Sequence, residues 1–325
     1  MVKYLITGGA GFIGSSLAEA LLSTGERVRI LDDFSSGRRQ NLEGLPGHFE
    51  LVEGSIVDPV TVARAIKGIE VVFHEAAIPS VARSVENPEA SVLAGVQGTT
   101  VVLNAARHAG VRRVIFAASS SAYGNTPTLP KVETMPSFPL SPYAVSKFAC
   151  EQLVRVFASL YGIETVSLRY FNVFGPRQDP GSEYAAVIPK FITAAIRQQR
   201  PTIFGDGEQT RDFCFIDNTV SANLLAASTP NKLSGEVVNV ACAERTSLNQ
   251  LLRILGDVAI ATGAVPANAR LEADYKPTRQ GDVRDSLADI SAAQKLFNYQ
   301  VKVRIREGLE RTFAAFRTFT PVVTG

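Results

Sequence analysis

A short apolar run, Tyr4-Leu5-Ile6, leads straight into Thr7-Gly8-Gly9-Ala10-Gly11-Phe12-Ile13-Gly14 and then into a helix-patterned stretch ending near Ser23. Few folds accept glycine at this density between a strand and a helix. The spacing satisfies G-x-G-x-x-G through Gly9, Gly11 and Gly14, and G-x-x-G-x-x-G through Gly8, Gly11 and Gly14. The turn must be tight, and a pyrophosphate must approach backbone with no Cβ in the way. The helix that follows offers free N–H groups and a partial positive charge to those phosphates. A second strand, expected over 28–31, ends in Asp32, 18 residues beyond Gly14. A carboxylate at that distance suits ribose hydroxyls and repels a 2′-phosphate, so the pattern predicts NAD rather than NADP.

The next segments repeat the alternation. A third strand is expected over 48–52, with Gly54-Ser55-Ile56 turning past the adenine, and a fourth over 71–74. Glu75-Ala76-Ala77 then supplies small residues that let a cofactor pass. His74 sits inside an apolar run and is expected to be a core histidine with its polar needs met, not a base. A helix over 98–109 precedes a fifth strand over 114–118, which ends in Ser119, Ser120 and Ser121. Strands alternating with helices predict a Rossmann-type, doubly wound parallel sheet that collects ligands at the strands' carboxyl ends.

Ser141-Pro142-Tyr143-Ala144-Val145-Ser146-Lys147 follows. Ser141 can cap a helix and Pro142 fits its first turn. Tyr143 and Lys147 are four apart and share a face. A neighbouring ammonium favours the phenolate, which makes the phenol a poised proton acceptor.

Beyond this, a strand over 166–170, a helix over 187–199, a turn at Gly205-Asp206-Gly207 and a strand over 237–240 are expected, with Asp217 capping a helix towards Ser228. From Ser247 onward the pattern is mostly helical, interrupted by a loop over 276–285. The 33 basic and 31 acidic residues leave a net charge of +2 with no basic run, which disfavours nucleic acid and membrane surfaces as partners. No stretch is long and apolar enough to span a bilayer. Cys150, Cys214 and Cys242 are odd in number and lack metal-ligand spacing, as expected of buried thiols in a reducing, cytoplasmic setting with no metal.

With the glycine turn, the serine triplet, Y-A-V-S-K and R-Y-F-N-V-F-G-P in this order, the chain resembles the extended short-chain dehydrogenase/reductases. It is most similar to their UDP-sugar 4-epimerases, in the branch acting on UDP-N-acetylhexosamines. The stretches 117–124, 184–191 and 205–213 carry that closer likeness. The resemblance implies a nucleotide domain over 1–172, rejoined by 213–242, and a smaller α/β lobe for the UDP-sugar over 173–212 and 243–325. It implies catalysis by Ser119, Tyr143 and Lys147. Tyr143 takes the proton of the sugar 4′-hydroxyl while a hydride passes from C4′ to the nicotinamide. The 4-keto sugar then turns over and is reduced on its other face.

For the cofactor the resemblance implies contacts from Gly8, Gly11, Phe12, Ile13 and Gly14, from Asp32, Asp33, Ser36 and Ile56, and from Ala76, Ala77 and Tyr170 besides Tyr143 and Lys147. For the UDP-sugar it implies Ser80, Ser120, Ser121 and Asn172, then Ala186 and Val187, with Ile203 and Phe204 lining the uracil. Arg211 and Arg279 would grip pyrophosphate or ribose, for which a guanidinium fork is suited. Asp282 would hold the uridine ribose. Ser286 leaves room for a 2′-N-acetyl group where a bulky aromatic would crowd it, so UDP-GlcNAc/UDP-GalNAc are expected substrates together with UDP-Glc/UDP-Gal. Ser120 and Ser121 stand where related dehydratases and decarboxylases carry acids, and a hydroxyl is a poor base without help. Related UDP-glucuronate epimerases or decarboxylases remain the alternative activity, and a catalytically silent dinucleotide sensor the alternative of another class. The sequence departs from the family at Ser55, where an Asp often meets the adenine, and at Gly95, where Asn is frequent. A homodimer built on the helices over 98–109 and 143–161 is likewise implied.

Overall fold

In the computed structural model the described residues are 3–179, 186–266, 270–278 and 283–319. Seven parallel strands form one sheet: β1 (Tyr4–Thr7), β2 (Val28–Asp32), β3 (Phe49–Glu53), β4 (Val71–His74), β5 (Arg113–Ser119), β6 (Glu164–Tyr170) and β7 (Ser234–Val240). Their order is β7-β6-β5-β4-β1-β2-β3. The chain therefore reverses its winding between β1 and β4, and a crevice opens at that point beyond the strands' carboxyl ends.

Side-chain alternation divides the core. Ile6, Ile30, Phe73, Ile115 and Leu168 point to one face, where the helix Phe12–Ser23 packs with Leu17 and Leu21. Leu5, Leu31, Val72, Val114 and Phe116 point to the other, against Val62, Val102, Leu103 and Val154. Both faces of the central strands β1 and β4 are covered, so Tyr4-Leu5-Ile6 and Val71-Val72-Phe73 are apolar without alternation, as buried parallel strands require, whereas the edge strand β3 is largely exposed. The first cluster continues without a break through Phe191, Ile203 and Leu255 to Phe313, joining the sheet to the later helices.

Three anchors place the elements that matter for the site. Arg169 on β6 is buried and pairs with fully buried Glu151 on the helix Pro142–Tyr161 through two bonds of 2.7 and 2.9 Å. Removing either partner strands the other charge, at a cost of about 3–5 kcal/mol. Arg113 on β5 is likewise buried; its guanidinium donates to the carbonyls of Ala226, Ala227 and Thr229 at 2.8, 3.1 and 3.0 Å. Gly95 lies in a π-helical segment, Leu93–Gln97, and a Cβ there would sit 3.0 Å from Ser146, so glycine lets this segment press on the helix Pro142–Tyr161.

Two expectations change. Asp217 does not cap its helix: the helix is Ile216–Ser228, entered from Phe215, and Asp217 lies within its first turn, paired with Arg311 at 2.7 Å. The apolar Ile216 is drawn into the core and carries the helix start back with it. The expected loop over 276–285 begins inside a short strand, Asp274–Lys276, paired with Thr202–Phe204. All three cysteines are buried and free, and among the described residues no helix could cross a membrane.

Candidate active site

The crevice at the sheet's switch point is a cavity of about 390 Å³. Its floor is the glycine turn. Gly8 has a left-handed φ of 70°, and a Cβ on it would lie 2.7 Å from the backbone of Ala76. A Cβ on Gly14 would lie 2.2 Å from the carbonyl oxygen of Gly8. Only glycine lets turn, helix and β4 loop meet this closely. No side chain caps the helix Phe12–Ser23, so the N–H groups of its first turn are left for a ligand. A cradle that Cβ atoms would fill, closed by an uncapped helix N-terminus, fits a pyrophosphate.

Asp32, at the end of β2, is buried, and burial raises its pKa. The N–H groups of Ala10 and Phe34, each at 2.8 Å, hold it as an acceptor. Asp33 binds the N–H and hydroxyl of Ser35 at 3.0 and 2.5 Å. Phe12, Ile13, Asp33, Ser36, Ile56, Ala76, Ala77 and Tyr170 line the same cavity, as do Tyr143 and Lys147. Every residue expected to meet the cofactor is thus brought to one cavity.

The opposite end holds the reactive side chains. Ser141 caps the helix by accepting the N–H of Ala144 at 3.2 Å, which starts the turn that points Tyr143 into the cavity. Lys147 is buried, donates to the carbonyl of Ala117 on β5 at 2.6 Å and lies 4.9 Å over the Phe116 ring. That bond uses one of its three protons. Ser119, two residues beyond Ala117, accepts from the N–H of Ser121 at 3.2 Å and from its hydroxyl at 2.8 Å. Both acceptor positions of the Ser119 oxygen are filled, which leaves its own proton as the group it can offer.

His74 is a core residue as expected. Its ring nitrogens meet the hydroxyls of Thr7 and Thr99 at 2.7 and 2.9 Å. Burial, with the Lys147 charge adding to it, lowers its pKa to about 3, so it stays neutral.

Among the residues expected to hold substrate, Ser80 and Ala186 line the cavity. Ser80 caps the helix Val81–Glu86, and Val187 opens the helix Val187–Ile196. Ser119, Ser120, Ser121, Asn172, Val187, Ile203, Phe204, Arg211 and Ser286 stand outside the cavity lining. Ile203 is buried and Phe204 half-buried. Asn172 donates to the Asp212 carbonyl at 3.2 Å, while Arg211 donates to Thr210 and Arg284 carbonyls at 2.9 and 3.3 Å. Ser286 is buried, and its N–H bonds the Thr210 carbonyl at 3.1 Å, which ties its segment to the strand of Arg211. Buried Asp212 reinforces this, accepting the N–H groups of Cys242 and Ala288 at 2.9 and 3.2 Å; burial raises its pKa to about 6. Arg279 and Asp282 lie outside the described residues.

The sequence reading passed over several lining residues. Arg177 is bonded twice to Glu19, at 2.6 and 2.8 Å, and Arg38 pairs with Asp179 at 3.2 Å. The segment 175–179 is thereby strapped across the glycine turn. Glu75, half-buried beside Tyr170, was also passed over. Its signal was available: an acid standing immediately after an apolar strand's end.

The NAD dependent epimerase/dehydratase family matches residues 4–241. The chain belongs to that family. It is 40% identical over 320 residues to a UDP-glucose 4-epimerase of Mycolicibacterium smegmatis, covering 97% of this chain and 99% of the relative. Among solved structures it resembles the UDP-N-acetylglucosamine 4-epimerase of Methanobrevibacter ruminantium M1, crystallised with UDP-N-acetylmuramic acid, with a TM-score of 0.91, 35% identity and coverage of 98% and 99%. The UDP-glucose 4-epimerase of Thermotoga maritima with UDP-glucose gives 0.89, 37%, 98% and 99%. The family, the Rossmann-type fold and a UDP-sugar epimerase-type enzyme dependent on NAD are therefore established.

Proposed function

We propose that the protein interconverts the 4′-epimers of UDP-hexoses, UDP-GlcNAc and UDP-GalNAc foremost and UDP-Glc and UDP-Gal besides. The carrying observation is that Tyr143 and Lys147 line one cavity with the glycine turn, and that β5, whose Ala117 and Ala118 line it too, ends in a serine, not an acid. When bound, NAD supplies a reversible two-electron acceptor for the sugar carbon. Gly8, Gly11 and Gly14 with the helix start hold its pyrophosphate, and Asp32 its ribose hydroxyls. Tyr143 takes the proton from the 4′-hydroxyl and later returns one to the opposite face. Lys147, fixed by the Ala117 carbonyl, steadies the phenolate. Ser119 donates its uncommitted proton to the reacting oxygen and stabilises charge that develops there. Ser121 is occupied with Ser119, so no group at this turn is placed to remove a further carbon-bound proton.

The uridine diphosphate falls to the second lobe, with Arg211 and Arg279 on phosphate or ribose, Asp282 on ribose and Ser286 beside the sugar's 2′ substituent. Residues 1–172 and 213–242 form the nucleotide part in this reading, and 173–212 with 243–325 the sugar part. A cytoplasmic homodimer completes it. Val145, Val156, Leu160 and Tyr161, exposed on the helix Pro142–Tyr161, are the apolar surface that a second copy would cover.

The test is incubation with each of the four UDP-hexoses and with UDP-glucuronate, without added NAD, followed by separation of products. Interconversion of the hexose pairs is expected. Conversion of UDP-glucuronate alone, or of nothing, overturns the reading.

A further inference from the structure

Glu75 is a carboxyl group in the wall of the cofactor cavity to which the mechanism above gives no task. Four elements face it. From β6, Tyr170 donates its hydroxyl to the Glu75 carboxylate at 2.8 Å, and Asn223, from the helix Ile216–Ser228, donates to the Tyr170 oxygen at 2.8 Å. From the helix Pro142–Tyr161 come Lys147, whose charge reaches Glu75, and Tyr143, which lines the same cavity. From β1, the Thr7 carbonyl accepts the Glu75 N–H at 3.1 Å. The neighbouring His74 is neutral at working pH. Tyr170 is buried, and its hydroxyl is held far above its ordinary pKa by burial and by Glu75, so it donates at any working pH. Burial brings Glu75 up to about 7, with Tyr170 and Lys147 opposing the rise. A carboxyl with one fixed donor, one nearby cation and a cavity in front of it responds to whatever charge fills that cavity.

We propose that Glu75 is a charge-balancing residue of the cofactor cavity, ionised while the bound nicotinamide ring is cationic and taking a proton from solvent when the ring is reduced. This rests on the epimerase reading, which puts an oxidised and a reduced ring in the same cavity within each turnover. The balance is simple. The ring accepts two electrons and one proton from the sugar carbon and becomes neutral; Glu75 separately binds one proton and becomes neutral too. Reoxidation reverses both. An anion lowers the energy of the cationic ring, and once the ring is neutral that attraction is gone, so the carboxylate is more readily protonated.

Linkage makes this measurable without turnover. Purified holoprotein is equilibrated with a redox dye of fixed potential, and the reduced nucleotide is read from its near-ultraviolet absorbance between pH 5 and 9. In Glu75→Gln the ratio of reduced to oxidised nucleotide is expected to fall about tenfold per pH unit, from the couple's own proton. In the wild type the fall steepens towards about a hundredfold per unit near neutrality, because a second proton is bound. Effects of Tyr143 and Lys147 are common to both proteins and cancel. The same slope in both overturns the proposal. In Tyr170→Phe, which removes the donor that favours the carboxylate, the steep window moves to higher pH; this arm decides the matter if Glu75→Gln does not retain nucleotide, and an unmoved window overturns it. Holoprotein that epimerises normally with no steep window sinks this inference alone, whereas protein devoid of NAD(H) and of epimerase activity sinks the functional reading.

Discussion

The two ends of the cavity differ in what they present to a ligand. At the glycine turn, the groups on offer are backbone N–H groups, and the side chains have been removed to expose them. At the β5 end, a phenol and an ammonium line the cavity and the Ser119 hydroxyl stands outside its lining, each set by a hydrogen bond or a helix turn. The first end is sensitive to added atoms, the second to atoms taken away. This divides the cost of mutation into failure to hold nucleotide and failure to use it.

The largest effect is expected at the second end. Tyr143→Phe should lower turnover by about 10³- to 10⁴-fold with bound nucleotide and melting temperature unchanged, since a general acid–base group is lost and nothing else. Steady-state kinetics with absorbance of the extracted cofactor checks both halves; a parallel loss of nucleotide would erase the division. Ser119→Ala removes one donor and should cost about 10²- to 10³-fold, again with nucleotide retained. Gly14→Ala breaks the other end. Its new Cβ must displace the Gly8 carbonyl, a strain of about 1–3 kcal/mol that should weaken nucleotide retention about 5- to 150-fold while leaving turnover per bound cofactor nearly intact. Equilibrium dialysis against free NAD measures it. Ser286→Tyr should lower activity on the acetylated UDP-sugars about tenfold and spare the non-acetylated pair, shown by competition assays; equal losses would remove Ser286 from the sugar site.

The smallest effect concerns stability between the two ends. His74 is held neutral with a pKa of about 3, against an unfolded value of 6.5, so as pH falls below 6.5 the unfolded chain takes a proton that the folded one refuses. Stability is therefore full above that point and lost on acidification, by about 2 kcal/mol at pH 5. Urea melts of the wild type and His74→Gln between pH 7 and 5 should show the variant less stable at pH 7 and less pH-sensitive.

What the sequence could declare follows the same division. The glycine turn was legible because its meaning is local: strand, turn, helix and acid all fall within 32 residues. Tyr143 and Lys147 were legible because one helix turn fixes their relation. The strap at 175–179 was not, since Arg177 finds Glu19 only after the chain has returned past the sheet. Glu75 was hidden for a similar reason: its partners stand 95 residues away at Tyr170 and, beyond it, at Asn223. Asp217 was misread because a capping residue type stood one position past an apolar residue that the core claimed first. Gly95, a departure from the family's usual residue, became intelligible once Ser146 was seen pressing on it.

Arg113 carries a lesson for anyone who would cut this enzyme apart. A fragment stopped after residue 172 keeps β1 to β6 but loses the carbonyls that surround that guanidinium and the strand that shields the flank of β6. It would leave that guanidinium with Glu164 as its partner but without its carbonyl acceptors, and a raw ribbon of unpaired amides along one side, and so clump rather than bind nucleotide. The ribosome must deliver the chain through Val240 before the first half can close.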